Sequence, residues 1–201
     1  MSLKSIFKQI SNIYVSSTNL LNPLLISKLN IGIFMDNIQI RTAKEDDFEA
    51  IFNIANNCGP IVSERRSIYH IFTKFFQNTV FIAEKVENKN KIITGFLIGF
   101  ISQTNSLECY IHQLCVDSAY RGDGVAFALI QRFMDIVSPR GCKKIYLIVK
   151  PLNQKAISFY KKMGFKIEIS ETKSFKFRNL DIFKDYDGFG EHMIVFIKEI
   201  E

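Results

Sequence analysis

Apolar and polar residues alternate over 37–42, with Ile38 and Ile40 on one side, which is the period of a half-buried strand. Thr42 stands where a helix N-cap would, with Glu45 three residues on to complete a capping box. Phe48, Ile51, Phe52, Ile54 and Ala55 then recur at helical spacing until 57–60 breaks the pattern. A second helical stripe over 68–76 carries Ile68, Ile71, Phe72, Phe75 and Phe76. Two strand-like runs follow, 79–85 and 92–102, with the polar stretch 87–91 as the hairpin loop between them. Residues 108–116 predict another strand. Residues 126–137 predict an amphipathic helix through Phe127, Leu129, Ile130, Phe133, Ile136 and Val137. The run 144–149 is almost continuously apolar, as in a strand buried on both faces. A helix over 153–163 is stopped by Gly164, strands are expected at 165–169 and 192–198, and 185–190 reads as a loop rich in Gly and Asp.

The predicted order is βααββ–βαβα–ββ. The strand–helix–strand unit around 126–137 favours a parallel pair, so the expected class is α/β, a mixed sheet with helices on both faces. At 201 residues the chain has room for one domain with a substantial core, placed at 36–201. Residues 1–35 are set apart as an N-terminal extension, disordered or helical. The first 34 residues hold no acidic side chain and three lysines (Lys4, Lys8, Lys28), with Ile6, Phe7, Ile10, Ile13 and Tyr14 on one helical face. A targeting peptide stays open, weakened by the lack of Arg, beside the plainer reading of a floppy extension or of translation counted from too early a start, and the Asn, Ser and Pro interruptions argue against a secretory signal. Met35 directly precedes the first patterned strand. No run approaches the roughly 20 apolar residues of a membrane span, so no membrane partner is expected.

Apolar residues make up 47% and charged residues 23%, the balance of a soluble globular protein, and the 19 Phe read as core filling. The net charge of +6 calls for an anionic partner. Lys and Arg form no run of five, so a charged cofactor accounts for the excess and nucleic acid is not expected. Cys58, Cys109, Cys115 and Cys142 contain no C-x-x-C pair, which leaves no zinc or redox motif and no metal expected. Their irregular spacing fits four reduced, small, buried apolar side chains in a cytoplasmic protein.

The chemistry concentrates between Leu114 and Ala126, where a strand ends, two glycines follow, and a helix begins at once. Backbone N–H groups at a helix start have no internal acceptor, and the macrodipole adds partial positive charge, so such a turn holds phosphate. Gly122 and Gly124 let the main chain approach a ligand closely, and Arg121 adds a fixed positive charge. The dinucleotide fingerprint would need Gly where Phe127 stands, and the Gly-Lys-Ser/Thr of a P-loop is absent.

Arg121-Gly122-Asp123-Gly124-Val125-Ala126 resembles the Arg/Gln-x-x-Gly-x-Gly/Ala motif of the GNAT superfamily of N-acyltransferases, and Leu114-Cys115-Val116 resembles the Leu-x-Val strand that precedes it. Asn153, Ala156, Tyr160 and Gly164-Phe165 follow in the order and register of that family's next signature. Asn57-Cys58-Gly59-Pro60, Tyr69 and Phe76-Gln77-Asn78-Thr79 are similar to the acceptor-side segment of diaminobutyrate acetyltransferases. Tyr186-Asp187-Gly188-Phe189-Gly190-Glu191 is closer to ribosomal-protein alanine acetyltransferases.

The resemblance implies a GNAT-like fold and direct transfer of an acetyl group from acetyl-CoA to a primary amine. A small amine or amino acid is the favoured acceptor. A protein N-terminus, or a non-catalytic acyl-CoA-binding role, is the alternative. Partners are then a small-molecule or peptide amine, with a homodimer allowed. The resemblance assigns Leu114, Cys115, Val116, Arg121, Gly122, Asp123, Gly124, Val125, Ala126 and Asn153 to the cofactor and Tyr160 to general acid catalysis. Asn153 and Tyr160 lie about two helical turns apart and so share a face. Glu108, ahead of the Leu-x-Val strand, is the candidate base. His112 is a second candidate, on strict alternation sharing the face of Leu114 and Val116, although an ordinary core or surface histidine is the plainer reading. His70 and His192 receive no role.

Overall fold

The computed structural model of the protein describes residues 38–59, 63–87 and 90–201. The expectations for 1–35, for Pro60 and for the centre of the 87–91 loop lie outside the described residues. Strand β1 (Ile38–Thr42) is followed by helices α1 (Phe48–Asn56) and α2 (Arg66–Phe75) and strands β2 (Val80–Glu87), β3 (Asn90–Ile101) and β4 (Glu108–Val116). Helix α3 (Val125–Val137), β5 (Lys144–Val149), α4 (Gln154–Lys162), β6 (Lys166–Ile167), β7 (Ser174–Phe177), β8 (Leu180–Phe183) and β9 (Ile194–Glu199) complete the order.

The main sheet runs β1-β2-β3-β4-β5-β9-β6. Only β4 and β5 are parallel, joined by the α3 crossover, and every other neighbouring pair is antiparallel. The mixed α/β class and the order of elements match the sequence pattern, with one addition. Strands β7 and β8 form a separate hairpin inside the segment read as irregular. Its two-residue turn, Arg178 (φ +48°) and Asn179 (φ +62°), takes positive φ twice, as a type I′ turn requires. No glycine marks that turn, and the alternating Phe175, Phe177, Leu180 and Ile182 are the signal that marks the strands.

Two apolar clusters sandwich the sheet. Ile51 and Ala55 of α1 and Tyr69 of α2 pack with Val80, Ile82, Phe96 and Ile98 on one side. Leu129, Ile130, Phe133 and Val137 of α3, with Ile157 and Tyr160 of α4, pack with Phe81, Leu97, Ile111, Ile145 and Phe196 on the other. Each fully buried side chain of this size contributes about 1.5–3 kcal/mol of transfer free energy. Gly99 allows α3 to close on β3, because a Cβ there would lie 2.5 Å from Phe133 Cε2 and 2.8 Å from the Tyr110 carbonyl oxygen.

The β3–β4 register contains a bulge. Ile98 pairs with Gln113 but Gly99 pairs with Ile111, so His112 is the extra residue. A one-residue insertion inverts the alternation beyond it. Cys109 and Ile111 pack with α3, whereas Cys115 packs with α1 and α2. Leu114 and Val116 turn to the α3 side while His112 stacks on Phe72 of α2, with ring centroids 5.3 Å apart. The expectation that His112 shares a face with Leu114 and Val116 is therefore corrected, since it rested on unbroken alternation.

Three further expectations change. Thr42 remains in β1, and the chain's entry to α1 is set instead by Asp47, whose carboxylate accepts from Lys44 N–H and pairs with Arg41 at 2.6 Å. Strand β5 buries Ile145, Leu147 and Val149, while its alternate residues are only partly covered. Cys58, after α1, and Cys115, on β4, form a disulfide, so the expectation of four reduced cysteines fails at these two. Spacing could not show it, because 57 residues separate the pair and the bulge decides which way Cys115 points. Cys109 and Cys142 are free and buried as expected.

Gly99→Ala is expected to cost about 1–3 kcal/mol of stability in denaturant unfolding, as overpacking does. An unchanged midpoint would contradict the close approach of α3 to β3. Peptide mapping of unreduced protein is expected to recover Cys58 and Cys115 in one cross-linked fragment that separates on reduction. Two free thiols at these positions would contradict the pairing.

Candidate active site

The parallel β4–β5 ladder pairs Glu108 with Lys144, Cys109 with Ile145 and Tyr110 with Tyr146, and then ends. Beyond Tyr110, β4 stays on β3 as far as Val116, and β5 stays on β9 as far as Val149. The two strands part, and a cleft opens between them. Main-chain groups of β4 that would meet β5 have no strand partner there, which suits them to an extended ligand that adds as a strand would.

Two cavities occupy this cleft. One, of about 460 Å³, lies toward the α3 turn, and the other, of about 250 Å³, lies toward the α2 side. Leu114, Asn153, Ala156 and Tyr160 line both.

The larger cavity is built on the turn between β4 and α3. Asp117 caps the Ser118–Tyr120 turn by accepting the Ala119 N–H at 2.9 Å. Gly122 (φ +98°) and Gly124 (φ +82°) take left-handed conformations that favour glycine. Ala128 N–H bonds Gly124 O at 3.0 Å and is the first to find an acceptor one helical turn back. The N–H groups of Val125, Ala126 and Phe127 precede it, as the open donors of a helix start. They and the positive end of a 13-residue helix line a cavity that also presents Gly122, Gly124, Val125 and Ala126. This donor set fits a diphosphate, and the groove between β4 and α4 fits a narrow, amide-bearing arm such as pantetheine.

Arg121 borders this cavity, but its guanidinium is engaged. Nε donates to Val116 O at 3.0 Å and Nη2 donates to Cys58 O at 3.1 Å. It therefore braces the end of β4 against the segment that the disulfide also holds, and its remaining donors are those left for an anion. Asp123 is exposed and does not line the cavity, so it supplies turn backbone only. The Cys115 side chain points to the other face of the sheet. Tyr120, Phe127, Lys155 and Phe159 also line the cavity and were not singled out by sequence. Phe159 adjoins Tyr160, and Lys155 follows Asn153 by two, but no motif marks either.

Asn153 Oδ1 accepts the Ala156 N–H at 3.1 Å and caps α4. The cap fixes the start of the helix that carries Tyr160. Tyr160 is 8% exposed, with its ring edge-on to Phe159 and Phe165 and tilted on Phe196. Burial, and then proximity to Tyr110, pushes its phenol above the ordinary tyrosine range. The hydroxyl therefore stays protonated at neutral pH.

The smaller cavity is lined by Glu64, Tyr110, His112, Lys150, Asp187 and Met193 among others. His112 Nε2 lies 3.5 Å from Glu64 Oε1. Burial lowers the His112 pKa, against the opposing pull of Glu64 and Asp187. Lys150 pairs with Glu191 at 3.4 Å. Sequence reasoning had no motif for Glu64 and met Asp187 only within the 186–191 loop, with no role, because the two come from separate loops that only folding brings to β4. Glu108 does not line either cavity. It sits at the opposite end of β4, in register with Lys144, where the ladder is closed. The structure thus brings Asn153 and Tyr160 to the cleft and leaves Glu108 outside it. His70 pairs with Glu45 at 2.9 Å, and His192 Nδ1 accepts Asp185 N–H at 3.0 Å, both outside the cleft lining. Among the described residues no group of three metal-ligating side chains occurs, and no helix is long and apolar enough to cross a membrane.

Comparison with known proteins places this geometry. Residues 48–165 match the model of the acetyltransferase (GNAT) family. An acetyltransferase of Pectobacterium atrosepticum is 27% identical over 135 residues, which is 64% of this chain and 87% of that protein. An N-alpha-acetyltransferase of Schizosaccharomyces pombe is 35% identical over 98 residues, 49% of this chain and 64% of its own length. An L-2,4-diaminobutyric acid acetyltransferase of Nocardia farcinica is 26% identical over 121 residues, 60% of this chain and 61% of that protein. Among solved structures, Ard1 from Thermoplasma volcanium superposes with a TM-score of 0.65 at 20% identity, covering 82% of this chain and 99% of that one. The diaminobutyrate acetyltransferase of Paenibacillus lautus, solved with L-2,4-diaminobutyric acid and coenzyme A, superposes at 0.61 with 18% identity, covering 80% and 93%. A cleft between parted parallel strands, with open helix-start donors at one end, thus comes with a family match over more than half the chain: the protein belongs to the acetyltransferase (GNAT) family.

Proposed function

We propose that the protein moves an acetyl group from acetyl-CoA to the primary amine of a small amine or amino acid. One observation carries the reading: the two cavities meet on Tyr160, Asn153, Ala156 and Leu114. An acyl donor in the larger cavity and an amine in the smaller one then approach each other at the hydroxyl of a tyrosine. Holding both reactants in that geometry removes most of the entropic barrier of a bimolecular step. The volume of about 250 Å³ and its acidic border favour a compact, cationic acceptor over a protein N-terminus. Residues 36–201 carry this activity, with 1–35 as an extension to it.

Each residue has a part. The N–H groups of Val125, Ala126 and Phe127, with Gly122 and Gly124 giving access, hold the diphosphate. The edge of β4 beyond Tyr110, which has no strand partner on the β5 side, holds the pantetheine arm through main-chain bonds near Leu114 and Val116, whose carbonyl also accepts from Arg121 Nε. Asn153 keeps α4, and with it Tyr160, in place. Tyr160 donates its hydroxyl proton toward the departing sulfur. Its raised pKa makes it a weak acid, but a thiolate leaving in the same buried site is also poorly solvated and correspondingly more basic. Arg121 keeps the turn rigid by bridging Val116 O and Cys58 O.

In a CoA-release assay with a panel of small amines and peptides, Tyr160→Phe is expected to lower kcat about 100-fold, the lower end of general acid catalysis. Acetyl-CoA affinity should stay near the wild-type value. Unchanged turnover would remove Tyr160 from the chemistry. Arg121→Ala is expected to weaken acetyl-CoA binding about tenfold in calorimetric titration, through a looser turn and a lost positive charge. Unaltered affinity would contradict its bracing role.

A further inference from the structure

We infer that His112, held by Glu64, is the base that takes the proton from the acceptor ammonium, an inference that rests on the acetyltransferase reading above. A primary amine enters water-exposed sites as an ammonium, because its pKa lies near 10. An ammonium has no lone pair and cannot attack. The smaller cavity must therefore contain a group that accepts a proton at neutral pH, within reach of the amine. Glu108, at the closed end of the β4–β5 ladder, is not such a group.

His112 meets the requirement in position and in protonation. It is the inserted residue of the β4 bulge, which turns its imidazole to the α2 side and onto the wall of the cavity. Phe72 stacks beneath it at an interplanar angle of 18°, which fixes the ring plane. Glu64 is itself fixed, since its backbone N–H donates to the hydroxyl of the fully buried Tyr69 at 2.9 Å. The Glu64 carboxylate facing Nε2 at 3.5 Å selects the neutral tautomer with its proton on Nε2 and its lone pair on Nδ1. Burial keeps the imidazole uncharged before substrate arrives. Glu64 acts as a positioning residue, and it stabilises the imidazolium that forms.

The other charged or titratable groups on this cavity are Asp187, Tyr110, Tyr160 and Lys150. Lys150 is matched by Glu191, and the Tyr110 and Tyr160 phenols are pushed upward by burial, so they stay neutral. That leaves Asp187 beside Glu64 as the net charge of the cavity, which attracts the ammonium and favours a charged His112 once the proton has moved.

The N–H bond of the ammonium breaks, its electron pair stays on nitrogen, and the proton bonds Nδ1 of His112 before passing to solvent. The amine pair forms the new C–N bond at the thioester carbonyl carbon. The C–S bond breaks with its electron pair going to sulfur, which is protonated from Tyr160. The second amine proton replaces the one lost by Tyr160. The sum is amide, free CoA thiol and one proton released.

The test uses full-length protein and an amine that the wild type acetylates in the CoA-release assay, with kcat/KM measured across pH. The wild type is expected to show an acid limb centred below the ordinary histidine value of 6.5, because burial depresses His112. His112→Gln should lose that limb and fall about 100-fold in kcat/KM near neutrality, with acetyl-CoA affinity retained. Glu64→Gln removes an upward pull on His112, so its acid limb should move to lower pH, a shift that a purely structural contact would not produce. An active wild type whose acid limb persists in His112→Gln, or does not move in Glu64→Gln, overturns the base assignment and leaves the acetyltransferase reading standing. A wild type that neither binds acetyl-CoA nor releases CoA with any amine overturns both.

Discussion

The parting of β4 from β5 after three residue pairs is the constraint on which the rest depends. A parallel ladder that continued would satisfy the main-chain groups of 111–116 that face away from β3 and close the cleft. Two features hold it open. The α3 crossover enters through a turn with two left-handed glycines, so the helix start faces the gap. Strand β5 is meanwhile held along its full length by β9 on its other edge. The backbone groups left without a strand partner are thereby turned from an energetic liability into a binding surface, since a buried unpaired amide costs about 1–3 kcal/mol until a ligand satisfies it.

The bulge at His112 carries a second consequence. By inverting the alternation within β4, it sends Leu114 and Val116 to the larger cavity while Cys115 goes to the other face, beside Cys58. The disulfide and the Arg121 bridge to Cys58 O then tie the end of α1 to the end of β4 at two points. One inserted residue thus sets the wall of each cavity and the anchorage of the loop beside them.

Much of this was legible in the sequence. Period and breakers gave the order from β1 to α4 and placed β9, because the helix stripes and strand runs there are bounded by turn residues. The glycine turn and the Asn153–Tyr160 spacing pointed to the larger cavity, since both are local and their chemistry resides in the backbone or in one helix face. The smaller cavity was legible only in part: His112 stood as a second candidate base and Asp187 lay in the quoted 186–191 loop, but nothing brought them together with Glu64. Glu64, His112 and Asp187 come from three separate segments, and the histidine's direction depends on a bulge that no residue type announces. The same bulge concealed the Cys58–Cys115 pair. Glu108 misled because position along a strand says nothing of whether the neighbouring strand is still paired there. The β7–β8 hairpin was missed because its turn uses Arg178 and Asn179 rather than glycine.

On this reading the open main-chain donors at the start of α3 grip the diphosphate of acetyl-CoA. Amide chemical shifts followed by NMR during a titration with CoA test it most directly. Saturable shifts are expected to concentrate at the N–H groups of Gly122, Gly124, Val125, Ala126 and Phe127, with dephospho-CoA retaining them and pantetheine alone failing to produce them. Saturation that leaves those five amides unmoved would contradict it.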